Sequence, residues 1–327
     1  MAQAIIIAIV VLTAIILLFF NILSLLVLLF TPKLRHRLSN LPVISFLIGS
    51  LLQGGLPAPL YIYKILVHQS GSEPGWLCDL YRFPYIFCNH IMEISIMILA
   101  CERMWAIRYP FTYSKVLTRR TFNFVLLSAW FVTICVDAIP FFNDNRNDNC
   151  SYVPGRSWGL SVIIFYNIAP FVTVVINYAI IWKVAYGFAM ADRRRSESLR
   201  QCNQVTVSLI DDEGNKTHTS SMRSYQKSIQ FTLEIKATKQ SMAIAAVFLF
   251  CWLPMSILFM ADHFCKNCIS ENEYFARRVV KILAFSSSLL TPLVYCWWNK
   301  DFRHCARRMF RCKGKGEFSE ASHEYRL

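Results

Sequence analysis

A chain of 327 residues that is 55% hydrophobic and only 17% charged is too greasy for an ordinary soluble domain, where about a quarter of residues carry charge. Its net charge of +14 would suit a nucleic acid, but the placement of that charge, given below, excludes this partner. The apolar residues are gathered into seven blocks of the length a bilayer requires, about 20 residues each.

In chain order the spans are predicted at about 4–31, 41–67, 77–104, 121–142, 158–185, 230–261 and 275–298. The first begins almost at Met1, yet it does not read as a signal peptide. It lacks a basic leader, outruns the usual apolar region and has no small-residue cleavage site. Lys33, Arg35 and Arg37 follow it instead, a stop-transfer pattern with a cytoplasmic flank. The outer N-terminus is only a few residues long, so no folded ectodomain is expected. The sixth and seventh spans are interrupted by proline and polar residues, which membrane helices tolerate when neighbours satisfy the freed backbone.

Between the fifth and sixth spans, residues 191–230 contain "ADRRRSESLRQ" and "DDEGNKTHTSS". Little apolar periodicity is visible there, which predicts a flexible cytoplasmic loop. After Trp298, the run "NKDFRHCARRMFRCKGKGE" places Phe302, Cys305, Ala306 and Met309 at helical spacing among arginines. This predicts an amphipathic interfacial helix over 299–311, followed by a tail over 312–327. Cys305 and Cys312 are candidates for lipidation.

With the N-terminus outside, 26 of the 34 Lys and Arg fall on the cytoplasmic side and eight on the outer side. That asymmetry sets the orientation and directs the surplus charge toward anionic lipid of the bilayer, not nucleic acid. The expected fold is therefore an all-α membrane protein: a seven-helix bundle over 1–298 with a short eighth helix.

Of the twelve cysteines, Cys78 opens the third span and Cys150 follows the fourth. Both would face an oxidising space, where a bridge is allowed. Cys265 and Cys268 form a CxxC in the last outer loop, which here suits a small loop disulfide better than a metal. Cys88, Cys101, Cys135, Cys251 and Cys296 fall within or near spans and read as small apolar residues.

Arg103 lies 25 residues after Cys78, one membrane crossing at about 1.5 Å per residue. Glu102 and Arg103 thus sit at the inner mouth of the third span. A lone arginine there would be a snorkelling anchor. Deeper in the same span are Asn89, His90 and Glu93, and the fourth span carries Asp137. Ionisable groups inside a membrane are costly and raise functional hypotheses. Three readings are open: a neutral Glu93 bonded within the bundle with His90 satisfied by Asp137, ligand contact by Asn89, or a proton-linked switch. The first is the blandest and is favoured.

Taken together, these motifs resemble the rhodopsin-like (class A) G-protein-coupled receptors across essentially all seven spans. Glu102-Arg103-Met104, followed by Pro110 and Tyr113, resembles that family's Asp/Glu-Arg-Tyr motif, with Met104 departing from tyrosine. Asn21, Trp130, the pair Pro170 and Tyr178, and "FLFCWLP" (Phe248, Cys251, Trp252, Pro254) match the first, fourth, fifth and sixth spans. "TPLVY" supplies Pro292 and Tyr295 as a variant of Asn-Pro-x-x-Tyr.

The resemblance implies a mechanism. Arg103 would pair with Glu102 and with Glu234, 20 residues before Pro254, forming a partly wet latch worth ~1 kcal/mol. A ligand would tilt the sixth helix outward at Pro254, and Arg103 and Tyr178 would receive a heterotrimeric G protein. Two departures qualify the picture. Ser50, Met92 and Thr291 stand where the family's sodium ligands would be, so no sodium site is expected. Tyr85 replaces the aspartate of amine receptors and Phe285 the retinal-binding lysine of opsins, so neither a bioamine nor retinal is expected.

A pocket for a short peptide or small chemosensory molecule is expected among Tyr85, Asn89, Asn167, Phe248, Trp252 and Lys281. No cofactor or metal is implied, and no HExxH, GxSxG or phosphate-loop pattern suggests an enzyme. A transporter or channel would show inverted repeats, which are not evident here. A decoy receptor that does not couple remains the nearer alternative.

Overall fold

Long apolar runs can satisfy their backbone in a bilayer only as helices, and helices account for the described chain. A computed structural model describes residues 2–69, 75–142, 156–206, 217–264 and 274–311. The elements are α1 (Ala2–Phe30), α2 (Pro32–Arg35), α3 (Asn40–Gly55), α4 (Pro57–Gln69), α5 (Gly75–Arg108), α6 (Pro110–Val116), α7 (Arg119–Phe142), α8 (Arg156–Val162), a π-helical turn (Ile163–Ile168), α9 (Ala169–Thr206), α10 (Thr217–Phe264), α11 (Tyr274–Trp298) and α12 (Lys300–Arg311). Seven stretches are long and apolar enough to cross a membrane. They coincide with the seven blocks read from the sequence.

Prolines set the departures from straight rods. The second span is two helices, α3 and α4, meeting at Leu56 and Pro57. Proline brings no N–H and its ring clashes with the preceding turn, so the span breaks there. In the fifth span Pro170 follows the π-helical turn, in which the Ala169 N–H reaches back five residues to the Ile164 carbonyl. Such a turn inserts one extra residue and often marks a functional site. Pro254 and Pro292 lie inside α10 and α11.

Helix extends well into the segment expected to be a flexible loop. α9 continues to Thr206 and α10 restarts at Thr217. The residues from 191 to 206 contain no glycine or proline to stop a helix.

The third span (α5) is the axis of the bundle, packed on α3, α7, α9 and α10. The second and third spans are the most enclosed, the first and fourth the least. Phe19, Phe124, Leu127 and Phe131 are exposed on those outer helices, as lipid-facing side chains are. In lipid, close packing holds helices together more than apolar transfer does. Gly49 shows this: a Cβ there would stand 2.8 Å from Ile91 and 3.1 Å from Met92. The main core joins Phe46, Met92, Ile96, Val174, Phe248 and Tyr295. Phe302 of α12 is buried and meets Tyr295 edge-on at 5.4 Å, while Arg307 and Arg308 stay exposed. The sequence of the tail predicts an amphipathic interfacial helix; its packing onto Tyr295 is added by the structure.

Candidate functional site

At the inner end of α5, Arg103 Nε and Nη2 donate to the two Glu102 carboxylate oxygens, each at 2.5 Å. Tyr113 of α6 donates its hydroxyl to Glu102 Oε1 at 2.6 Å. Glu102 is 2% exposed and Arg103 4%. The partly wet setting expected for Arg103 is therefore corrected to a buried one: its guanidinium is closed onto Glu102, which Tyr113 of α6 also bonds. Glu234 lies on α10, but its side chain falls outside the described residues. Tyr178 faces this region with a buried hydroxyl that has no partner. Beside them, Asn177 Nδ2 donates to Cys101 Sγ at 3.2 Å, so Cys101 is more than apolar filler.

A second inner network was not anticipated from the sequence. The Tyr295 hydroxyl donates to Asn40 Oδ1 at 3.1 Å, and Asn299 Nδ2 donates to the Tyr295 oxygen at 3.2 Å. Asn299 Oδ1 then accepts from the Phe302 N–H at 3.0 Å, capping α12. Tyr295 thus ties the second span, the seventh span and α12 together. Asn40 and Asn299 beside a basic run are the only sequence signal, and it resembles ordinary capping chemistry.

The middle of the bundle is stitched by neutral groups. Asn21 Nδ2 donates to the carbonyls of Leu17 and Ser288 at 2.8 and 3.0 Å. Trp130 Nε1 donates to Ser45 at 2.9 Å, and Ser45 meets Ser95 at 2.8 Å. Gln53 Nε2 donates to Asn89 Oδ1 at 2.6 Å, and Ser288 donates to Gln53 Oε1. Ser50 donates to the Ser288 carbonyl at 3.1 Å, and Met92 Sδ lies 3.5 Å from the Ser288 hydroxyl. Two of the three positions expected to lack sodium ligands are thus drawn into an uncharged seam joining the second, third and seventh spans. Thr291, the third, has a buried hydroxyl without a partner. Gln53 and Ser288 organise this seam, and neither stood out in the sequence.

His90 Nδ1 lies 2.8 Å from Asp137 Oδ1, and the His90 ring stacks on Tyr166 at 4.1 Å. The favoured pairing of His90 with Asp137 is what the structure places. Glu93 is different: it is 7% exposed, yet its Oε2 has no hydrogen-bond partner among the described residues.

Of the expected pocket, Tyr85, Asn89, Asn167 and Trp252 line one small cavity of about 50 Å³, with His90 and Glu93. A larger one of about 220 Å³ adjoins it, sharing Glu93, Asn167 and Trp252 and adding Phe248 and Pro170. The Asn89 amide is already committed, Oδ1 to Gln53 and Nδ2 to the Tyr85 carbonyl at 2.7 Å. Lys281 stands apart from both cavities, its Nζ 5.7 Å from the Tyr61 ring centre. That ring belongs to an aromatic stack continuing through Tyr81 and Tyr85 to Phe285. Ser256, also unanticipated, donates to Asn167 Oδ1 at 3.0 Å across the fifth and sixth spans.

Cys150, Cys265, Cys268 and Cys312 lie outside the described residues, as does the Cys78 side chain, so neither expected bridge is visible. Cys305 is a free thiol on α12. No group of three His, Cys, Asp or Glu able to hold a metal occurs among the described residues.

The family model for the 7 transmembrane receptor (rhodopsin family) matches residues 20–295. The chain is 25% identical over 305 residues to the D(1) dopamine receptor of Carassius auratus, covering 86% of this chain and 80% of that one. It is 24% identical over 306 residues to the D(1B) dopamine receptor of Xenopus laevis, covering 85% of this chain and 64% of that one. The D(1A) dopamine receptor of Didelphis virginiana is 24% identical over 309 residues, with 85% and 67% covered. The chain thus spans between about two thirds and four fifths of these relatives.

Proposed function

Because this chain belongs to the rhodopsin family of seven-transmembrane receptors, we propose that it binds an extracellular ligand and activates a heterotrimeric G protein from the plasma membrane. The observation that carries this reading is the buried Glu102–Arg103–Tyr113 cluster at the inner end of α5. A buried charge pair stripped of one partner loses about 3–5 kcal/mol. Arg103 therefore stays folded onto Glu102 until a new partner and new space are offered together. Outward tilt of α10 at Pro254, hinged beside Trp252 and Phe248, opens that space. Arg103 and Tyr178 then receive the G protein's C-terminal segment. Glu234 adds a second acidic partner for Arg103 in the resting state, and the N-terminus lies outside.

The ligand in this proposal is a short peptide or a small chemosensory molecule. The relatives are named for dopamine, but Tyr85 occupies the anchoring position of amine receptors. Its ring is buried in the stack with Tyr81 and Phe285, so an amine has no carboxylate to meet there. Sodium is not a regulator, since Gln53, Asn89 and Ser288 satisfy one another where the ion would need charge. Bridges between Cys78 and Cys150 and between Cys265 and Cys268 steady the outer loops, and Cys305 and Cys312 are lipidation sites beside the docked α12.

A G-protein activation panel on the expressed chain, run in parallel with Arg103→Ala, tests the reading. Loss of basal and ligand-driven exchange by about tenfold or more in the variant is the expected result. Equal signals in both chains would remove the mechanism and favour a receptor that does not couple.

A further inference from the structure

The larger cavity is a crevice in the flank of the bundle. Its floor is polar and buried: among the described residues Glu93 Oε2 and Trp252 Nε1 find no hydrogen-bond partner, in residues only 7% and 8% exposed. Its inner wall is apolar, formed by Ile96, Val174 and Phe248. At its mouth Ile168, Phe171 and Leu253 are 42%, 36% and 42% exposed. The sixth span packs heavily on the seventh and only lightly on the fifth. The π-helical turn and the Asn167–Ser256 bond bridge the two helices beside the opening.

Depth decides what can enter. Glu93 is at the midpoint of the third span, Leu80–Arg108, so the mouth opens onto hydrocarbon. Peptides and ions do not dissolve there, whereas small apolar molecules do. An orphaned carboxyl oxygen and an orphaned indole N–H are each costly when buried. Together they call for a head group that donates and accepts. A hydroxyl does both: its O–H donates to Glu93 Oε2 and its oxygen accepts from Trp252 Nε1–H. The volume of about 220 Å³ is below the ~300–1,000 Å³ of drug-sized sites, so the occupant is small.

We infer that this crevice between the fifth and sixth spans binds a small lipophilic alcohol that enters from the bilayer, with its hydroxyl held by Glu93 and Trp252. This deepens the proposal of a ligand-binding receptor by naming a substance class, and it rests on that reading. It also gives the unpaired Glu93 a task that neither pairing within the bundle nor a proton switch supplies.

The test uses the full chain in phosphatidylcholine nanodiscs with 1-octanol carrying an aliphatic diazirine. Octane carrying the same diazirine serves as the headless control. After photolysis, labelled positions are mapped by mass spectrometry and normalised to the lipid-facing Phe124, Leu127 and Phe131 of α7. The alcohol is expected to label positions 171–174 and 249–253 about tenfold more than the alkane does, and excess 1-octanol should abolish that labelling. Glu93→Leu should reduce wall labelling about tenfold, while Glu93→Gln, which keeps a donor and an acceptor, should hold it within about threefold. Equal labelling by both probes, the mark of a lipid chain or water as the only occupant, overturns the inference. So does unchanged labelling in Glu93→Leu. If that variant does not fold, Leu253→Trp fills the mouth while leaving Glu93 in place, and full labelling there overturns the inference equally. The readout needs no G protein, so failure here and failure of the coupling assay are separate results.

Discussion

The charged pair at the inner end of α5 and the carboxyl group in the middle of the same helix are held in opposite ways. Below, Glu102, Arg103 and Tyr113 answer one another, as do Tyr295, Asn40 and Asn299. Nine residues above Glu102 on the same helix, Glu93 keeps a buried oxygen with no partner among the described residues, and Trp252 across the cavity keeps an indole N–H likewise. Satisfied networks hold one arrangement, because breaking any bond strands a buried group. Orphaned atoms favour whatever arrives to pair with them. The bundle is thus tightly closed where a partner protein would dock and chemically open where a small molecule would sit.

Substitutions can break this contrast, starting with the most severe. Glu102→Leu strands Arg103 in a buried setting. It should destabilise the resting bundle by about 3–5 kcal/mol, lower the unfolding midpoint in detergent and raise basal G-protein exchange. An unchanged midpoint would mean that the pair carries no structural weight. Gln53→Leu comes next. It removes the donor to Asn89 and the acceptor of Ser288, and a loss of about 1–3 kcal/mol is expected in the same unfolding assay. Smallest is Thr291→Val. The Thr291 hydroxyl bonds nothing, so replacing it by a methyl group should be neutral or stabilising within about 1 kcal/mol. A loss as large as that of Gln53→Leu would erase the distinction between bonded and orphaned groups.

Much of this was legible in the one-dimensional chain. Block length and the placement of Lys and Arg led to seven spans, and the spacing of Glu102-Arg103, Trp130, Pro254 and Pro292 led to the family. The amphipathic period around Phe302 led to its interfacial helix. These are properties of local runs, and a bilayer leaves such runs few alternatives. His90 and Asp137 could be paired in advance because intramembrane ionisable groups are rare enough to seek each other. Gln53, Ser288, Asn40, Asn299 and Ser256 were invisible, since one amide or hydroxyl looks like any other until its partner 36 or 238 positions away is brought alongside.

Sequence by itself therefore determined the seven spans and the family, because apolar length and motif spacing act within single segments. Tertiary structure alone decided that Arg103 is buried rather than partly wet, with Tyr113 of α6 bonded to its partner Glu102. It decided that Asn89 is committed to Gln53 and that Lys281 lies over Tyr61. It also decided that Glu93 and Trp252 line one crevice. Those outcomes depend on which faces of separate helices meet, and a helix does not record in its own residues which neighbour will cover it.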